Sequence, residues 1–246
     1  MDIVIEQWAG RVRAAAADGM PLRLRGGGSK DFYGQPPHGE ILDTRAYSGI
    51  VAYEPTELVV TVRCGTPLAE LEAVLAEKGQ SLPFEPPHFG RDATLGGCVA
   101  AGLSGPRRAQ AGALRDFVLG VKILDGHADV LNFGGQVMKN VAGYDVPRLM
   151  AGSLGTLGLI LEVSLKVLPF AVAERTLCFE LPQEQALMLL NRWGGQPLPI
   201  SASAWVDNLL GVRLSGAAAA VDAATHKLGG QLLAEDESAA FWLGLR

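Results

Sequence analysis

At 246 residues the chain has room for one large domain or two ordinary ones, and its 48% hydrophobic, 19% charged composition is that of a globular protein. A formal net charge of −5, with no run of arginine and lysine, argues against a nucleic-acid partner. The three cysteines, Cys64, Cys98 and Cys178, lack C-x-x-C spacing, which argues against an iron–sulfur cluster held by this chain alone, and no stretch of about 18 apolar residues offers a membrane span.

Ile5, Trp8, Val12 and Ala15 fall on one face of an amphipathic helix over Ile5–Asp18, which ends at Gly19. Pro21–Arg25 follows as a short strand and runs into RGGGSKDF, residues 25–32, where three glycines lie between Arg25 and Lys30. A tight glycine turn exposes successive N–H groups that hold an anion; an ordinary surface turn accounts for the stretch equally well. Neither common phosphate motif fits. A P-loop places lysine before the hydroxyl residue, and here Ser29 precedes Lys30. A dinucleotide fingerprint opens a helix, and residues 32–37 with their paired prolines do not continue as one. Ile41–Asp43, Gly49–Tyr53 and Leu58–Arg63 then read as strands. Thr66 is expected to cap, and Pro67 to begin, a helix over Leu68–Lys78 that closes at Gly79.

Between Pro83 and Pro106 the chain turns small and proline-bounded: PFEPPHFGRDATLGGCVAAGLSGP. Long loops around at most a short helix are expected, with backbone brought close to backbone or to a flat ligand. Val118–Leu124 and Ala128–Asn132 form a hairpin pattern turning at Asp125-Gly126. Leu157–Leu168 alternates as a strand after a small-residue turn at 152–158. Beyond Pro169 the order is strand Thr176–Leu181, helix Gln183–Trp193, strands Ile200–Trp205 and Leu209–Leu214, helix Ala217–Leu228 and strand Gln231–Leu233. That βαββαβ order suggests a ferredoxin-like second domain starting near residue 171. The chain stops in the amphipathic ESAAFWLGLR with no terminal cap, which points to a longer protein. With neither a signal peptide nor a span in view, the expected location is cytoplasmic, with any contact at the inner membrane face made through partners.

Three small-residue turns, at 26–30, 90–105 and 152–158, suggest one long ligand lying along several loops, with the size of a dinucleotide. The stretches RGGGSK, PPHFGRDATLGGCVAAGLSGPRR and KNVAGYDVPRLMAGSLGTLGLILEVSLKVLP occur in an order that resembles the PCMH-type (vanillyl-alcohol oxidase-like) FAD-binding family. Within it, the match is to FAD-binding subunits of bacterial glycolate oxidase complexes. The resemblance is strong over residues 1–170 and loose beyond. It implies an α+β fold: a PCMH-type two-part FAD-binding domain over 1–170, then a partial ferredoxin-like cap domain over 171–246. It implies that Gly26, Gly27, Gly28, Ser29 and Lys30 hold the FAD pyrophosphate, mainly through backbone N–H groups. Pro87, Asp92, Thr94, Gly96 and Gly97 would form a second FAD loop, and Gly158 and Ile160 would meet the adenine end. Ser29 and Lys30 stand where many members carry a flavin-linked histidine, so the FAD is expected to be non-covalent.

Dehydrogenation of a 2-hydroxy acid needs a carboxylate clamp, best made by arginine, and a base. In catalytic members the segment matching VMKNVAGYD offers arginine and threonine; here Met138 and Ala142 take those positions. The histidines, His38, His88, His127 and His226, include no H-x-H pair, so no metal is expected. Lys139, Asn140 and Tyr144 remain as candidates for the flavin's reactive face, although Asn140 and Tyr144 serve equally well to pin a loop. His88 reads as a loop histidine, and Arg107 and Arg108 as flavin-, partner- or solvent-facing. The resemblance implies a subunit working beside a paralogous FAD-binding catalytic subunit that oxidises glycolate or D-lactate, and an iron–sulfur subunit. A self-sufficient flavin oxidoreductase and a flavin-free scaffold are the alternatives.

Overall fold

The structure, a computed structural model, describes residues 2–135 and 143–246. Asp2 opens helix α1 (Ile3–Asp18): its carboxylate accepts from Val4 N at 3.0 Å, and Gly19, at φ 63°, closes the helix. Ile5, Trp8 and Ala9 form the buried face, with Trp8 edge-on to Tyr47.

The chain divides into two compact units. The first comprises Met1–Leu82, Pro86–Leu103 and Ala113–Leu168; the second takes Pro83–Glu85, Ser104–Gly112 and Pro169–Arg246. In the first, β1 (Leu22–Arg25) and β2 (Glu40–Asp43) form a parallel pair. β3 (Ile50–Glu54) and β4 (Val59–Arg63) follow, then α2 (Leu68–Glu77), the two-residue β5 (Gln80–Ser81) and the seven-residue α3 (Leu95–Ala101). The short α4 (Arg108–Ala111) belongs to the second unit; β6 (Val118–Leu124), β7 (Val130–Gly134), α5 (Val146–Met150) and β8 (Leu159–Lys166) return to the first. Its main sheet is antiparallel in the order β3-β4-β8-β6-β7. Both faces of its central strands are covered, with Val60, Val62, Leu161, Val163 and Leu165 fully or almost fully buried. On one face, Thr61 and Ser164 pair their hydroxyls at 2.8 Å, so these polar groups enter the interior already satisfied.

Two local expectations change. Pro67, not Thr66, occupies the cap position of α2, because the Thr66 hydroxyl is drawn to Arg63 O and Gly49 N by the fold around it. The second strand of the hairpin starts at Val130 rather than Ala128: Asp125 Oδ1 accepts from both His127 N and Asp129 N at 2.9 Å, which extends the loop over 125–129.

After β9 (Leu168–Pro169), the second unit runs β10 (Ala173–Glu180), α6 (Gln183–Gly194), β11 (Ile200–Val206), β12 (Leu209–Gly216), α7 (Ala218–Leu228), β13 (Gln231–Leu232) and α8 (Glu235–Leu243). Its sheet order β11-β12-β10-β13 with two helices is the ferredoxin-like arrangement. Strand alternation sorts its faces. Leu177, Leu210, Val212 and Leu214 join Ala186 and Trp193 of α6 and Val221 and Ala224 of α7 in a dry core. The other face is mixed: Arg213 is buried on it beside the Trp242 ring, and Gly211 lies against Phe241. The amphipathic terminal segment forms α8: Glu237 accepts from Ala234 N at 3.1 Å, and Trp242 anchors the helix by donating to Thr176 Oγ1 at 2.8 Å.

Candidate functional site

A cleft of about 420 Å³ in the first unit is lined by three turns remote from one another in sequence: Gly26–Lys30, residues from Thr94 to Ala101, and residues from Leu154 to Ile160. The first turn leaves β1, where the parallel pairing continues as Thr44 N donates to Arg25 O at 2.9 Å. Asp31 then draws the turn back: Arg23 Nη2 and Arg25 Nε reach its Oδ2 at 2.6 and 2.9 Å. Gly28 sits at φ +73°, a conformation that side chains disfavour. A Cβ on Gly27 would stand 1.5 Å from Asp92 O, and one on Gly26 would stand 2.2 Å from Thr94 Oγ1. The first turn therefore lies directly against the second, with no room for side chains between them.

The second turn is pinned from beneath. Leu68 N donates to Ala93 O, Leu95 N to Thr66 O and Gly96 N to Cys64 O, at 2.8 to 2.9 Å. Thr94 caps α3 through Gly97 N. The third turn is tied to α3 by Gly152 N to Val99 O at 3.0 Å and Leu154 N to Ala100 O at 2.9 Å. These bonds bring the three turns to one place.

Among the described residues that line the cleft, Arg23, Arg25 and Lys30 stand against Asp31 alone, an excess of two positive charges in a chain that is net negative. Lys30 Nζ donates to His88 O at 3.2 Å and lies 5.7 Å from the centre of the Phe89 ring. Burial lowers its pKa below the usual 10.5, partly offset by Cys98. Cys64 also lines the cleft, but burial pushes its thiol up to about 12, so it stays protonated and unreactive at neutral pH.

Gly26, Gly27, Gly28, Ser29, Lys30, Thr94, Gly96, Gly97, Gly158 and Ile160 all line the cleft. Pro87 and Asp92 are not among the lining residues: Pro87 is buried, and exposed Asp92 backs Gly27 with its carbonyl. Tyr144 is 93% exposed and does not line the cleft. Lys139 and Asn140, with Met138 and Ala142, lie outside the described residues. His88 Nε2 meets Glu72 Oε2 at 2.8 Å, a contact that holds its loop. Sequence reasoning missed Thr44 and Cys64, each the first residue after a strand, and Pro36 and Pro37 beyond the glycine turn. The signal for the first two was their place at the ends of β2 and β4. Among the described residues no group of His, Cys, Asp and Glu side chains is placed to hold a metal, and no helix is long and apolar enough to cross a membrane.

Residues 5–134, more than half of the chain, match the family described as FAD binding domain. The chain belongs to the FAD binding domain family. It is 50% identical over 236 residues to the glycolate oxidase subunit GlcE of Escherichia coli (strain K12), covering 96% of this chain and 66% of that protein. It is 31% identical over 160 residues to the glycolate oxidase subunit GlcD of Bacillus subtilis (strain 168), covering 64% of this chain and 34% of that protein. The chain thus spans just under two thirds of the one relative and about a third of the other. In fold it is similar to alkyldihydroxyacetonephosphate synthase, with TM-score 0.70 and 18% identity over 91% of this chain and 49% of that one. The cleft fits the family's cofactor: the glycine turn packed against the second turn lines it, and the excess positive charge suits a pyrophosphate.

Proposed function

We propose that this chain binds FAD non-covalently and is the flavoprotein subunit of a multi-subunit 2-hydroxy-acid dehydrogenase of the glycolate oxidase kind. The reading takes residues 1–170 as the FAD-binding domain and 171–246 as part of a cap. The observation that carries it is the convergence of three glycine-rich turns on one positively charged cleft. Gly26–Lys30 hold the pyrophosphate, chiefly by backbone N–H groups, with Lys30 adding a charge-assisted bond. Pro87, Asp92, Thr94, Gly96 and Gly97 shape the second flavin loop, and Gly158 and Ile160 receive the adenine end. Bound FAD supplies the capacity to take up two electrons and pass them on.

The names of two relatives, both subunits of glycolate oxidase, support a complex in which a paralogous FAD-binding subunit works beside this one. Met138 and Ala142 stand where the resemblance expects arginine and threonine, so neither side chain can clamp a substrate carboxylate. Oxidation of glycolate or D-lactate is therefore assigned to the paralogue, and onward transfer to an iron–sulfur subunit, in the cytoplasm. The test is anaerobic. The purified chain is expected to carry flavin that acid precipitation releases, and to keep its flavin absorbance when glycolate or D-lactate is added. Rapid bleaching by either acid would make this chain a self-sufficient oxidoreductase, and a colourless protein that takes up no FAD would make it a scaffold.

A further inference from the structure

Residues 83–85 and 104–112 belong to the second unit, while the chain between them, 86–103, belongs to the first. Polar contacts hold the neck where these two passages meet. Gly105 N donates to Phe84 O at 2.9 Å, and Arg107 N donates to Glu85 Oε2 at 3.0 Å. The other carboxylate oxygen, Glu85 Oε1, accepts from Arg213 Nη2 at 2.6 Å. Arg213 is buried and Glu85 partly buried, with side chains 6% and 13% exposed. Arg213 is fully engaged where it stands on β12: its Nε donates to Ser201 Oγ at 3.2 Å, Glu174 Oε2 lies 3.8 Å away, and its guanidinium lies 4.8 Å from the centre of the Trp242 ring.

The backbone at Glu85 is as constrained as its side chain. Its φ is 45°, and its carbonyl stands 2.2 Å from where a Cβ on Gly105 would lie. A non-glycine residue persists in that conformation only where its surroundings over-determine it. Burying an ion pair is a poor route to stability, since desolvation offsets most of the attraction. What such a pair does fix is geometry, and here the geometry fixed is the neck within the second unit from which residues 86–103 depart.

We propose that the Glu85–Arg213 pair is a clasp on the neck of 86–103, which makes Arg213 a positioning residue for cofactor binding without touching the cofactor. The proposal rests on the reading of the cleft as the FAD site. The clasp holds the second turn in its binding-competent arrangement. Opening it lowers the competent fraction and weakens apparent affinity in proportion.

The test compares the full chain with Arg213→Gln, Arg213→Lys, Glu85→Gln and Val221→Ala, the last being a control in the dry core on the opposite face of the sheet. FAD affinity is titrated by flavin fluorescence at a temperature where each protein keeps its native far-UV spectrum. Hydrogen exchange across 86–103 is followed on the FAD-free proteins. Arg213→Gln and Glu85→Gln are expected to weaken FAD binding by about tenfold or more, to speed exchange at 86–103, and to be partly rescued in Arg213→Lys. Val221→Ala is expected to lower the melting temperature while leaving affinity and loop exchange within about twofold of the parent. If Arg213→Gln does not fold, the near-isosteric Glu85→Gln decides. Unchanged exchange and affinity in a folded clasp variant, or equal losses in Val221→Ala, overturn the clasp. A parent chain that binds no FAD overturns the cofactor reading instead, and the exchange measurement then decides the clasp by itself.

Discussion

Single residues set the terms of the cleft. Gly27 has no space for a side chain, because Asp92 O lies where its Cβ would go. Gly27→Ala must push two backbones apart, an overpacking that costs about 1–3 kcal/mol. FAD binding is accordingly expected to weaken about ten- to a hundredfold, read by flavin fluorescence titration. Lys30 makes a prediction of opposite signs for stability and binding. Burial lowers its pKa, so its charged form disfavours the folded, FAD-free protein, and that penalty is relieved as pH rises through the lowered pKa. A pyrophosphate beside it favours the charged form and draws the pKa back up. FAD affinity is therefore expected to fall as pH climbs from neutral towards 10.5, the ordinary lysine value. Lys30→Met should raise the melting temperature of the FAD-free protein at neutral pH. It should also weaken FAD binding by about tenfold or more, the worth of a hydrogen bond to a charged group, and flatten the pH dependence of affinity.

At the scale of elements, short pieces are positioned by other pieces rather than by their own propensity. α3 is seven residues long, too short to stand alone, and owes its place to Thr94 and to the bonds from Cys64, Thr66 and Leu68. Thr94→Ala removes the cap and is expected to cost about 1 kcal/mol, which a calorimeter would read as a loss of about 2–4 °C. It should also weaken FAD binding, since Thr94 faces the cleft. Strand periodicity located most of the sheet well: Val118–Leu124 was legible to the residue, and Leu159–Lys166 within two residues at either end. The caps were less legible. Thr66-Pro67 carries the ordinary signature of a helix start, yet the hydroxyl of Thr66 is taken by Gly49 and Arg63 from a neighbouring strand junction. No local rule contains a partner supplied by the fold.

Over the whole molecule, the chain passes from one unit to the other several times, at 82/83, 85/86, 103/104, 112/113 and 168/169. Composition changes near two of these places, at Pro83–Pro106 and after Pro169, but nothing in the sequence marks the first change as a passage between units. The earlier excursions are short, and their one ion pair to the rest of the second unit among the described residues joins residues 128 positions apart, Glu85 and Arg213. In sequence, Arg213 is one more charged residue in an alternating strand. Its neighbours Val212 and Leu214 belong to the dry core, and alternation says only that Arg213 faces the other way. Its role follows from what lies on that face. The proposed function is tested at this scale by adding glycolate anaerobically to the isolated chain, and then to the chain mixed with the paralogous FAD-binding subunit that the proposal invokes: flavin bleaching is expected only in the second case.

The sequence by itself determined the order of the strands and the turns that must be glycine, because backbone clearance and side-chain alternation are local and leave their mark in local pattern; the cofactor class followed from three motifs, in order, that resemble a known family. Only the tertiary structure decided that the three turns share one cleft, that Thr44 and Cys64 help to line it, and that Glu85 is held by Arg213. Each of those depends on hydrogen bonds, packing and charge pairing between segments far apart along the chain, which become neighbours only once the sheets have formed.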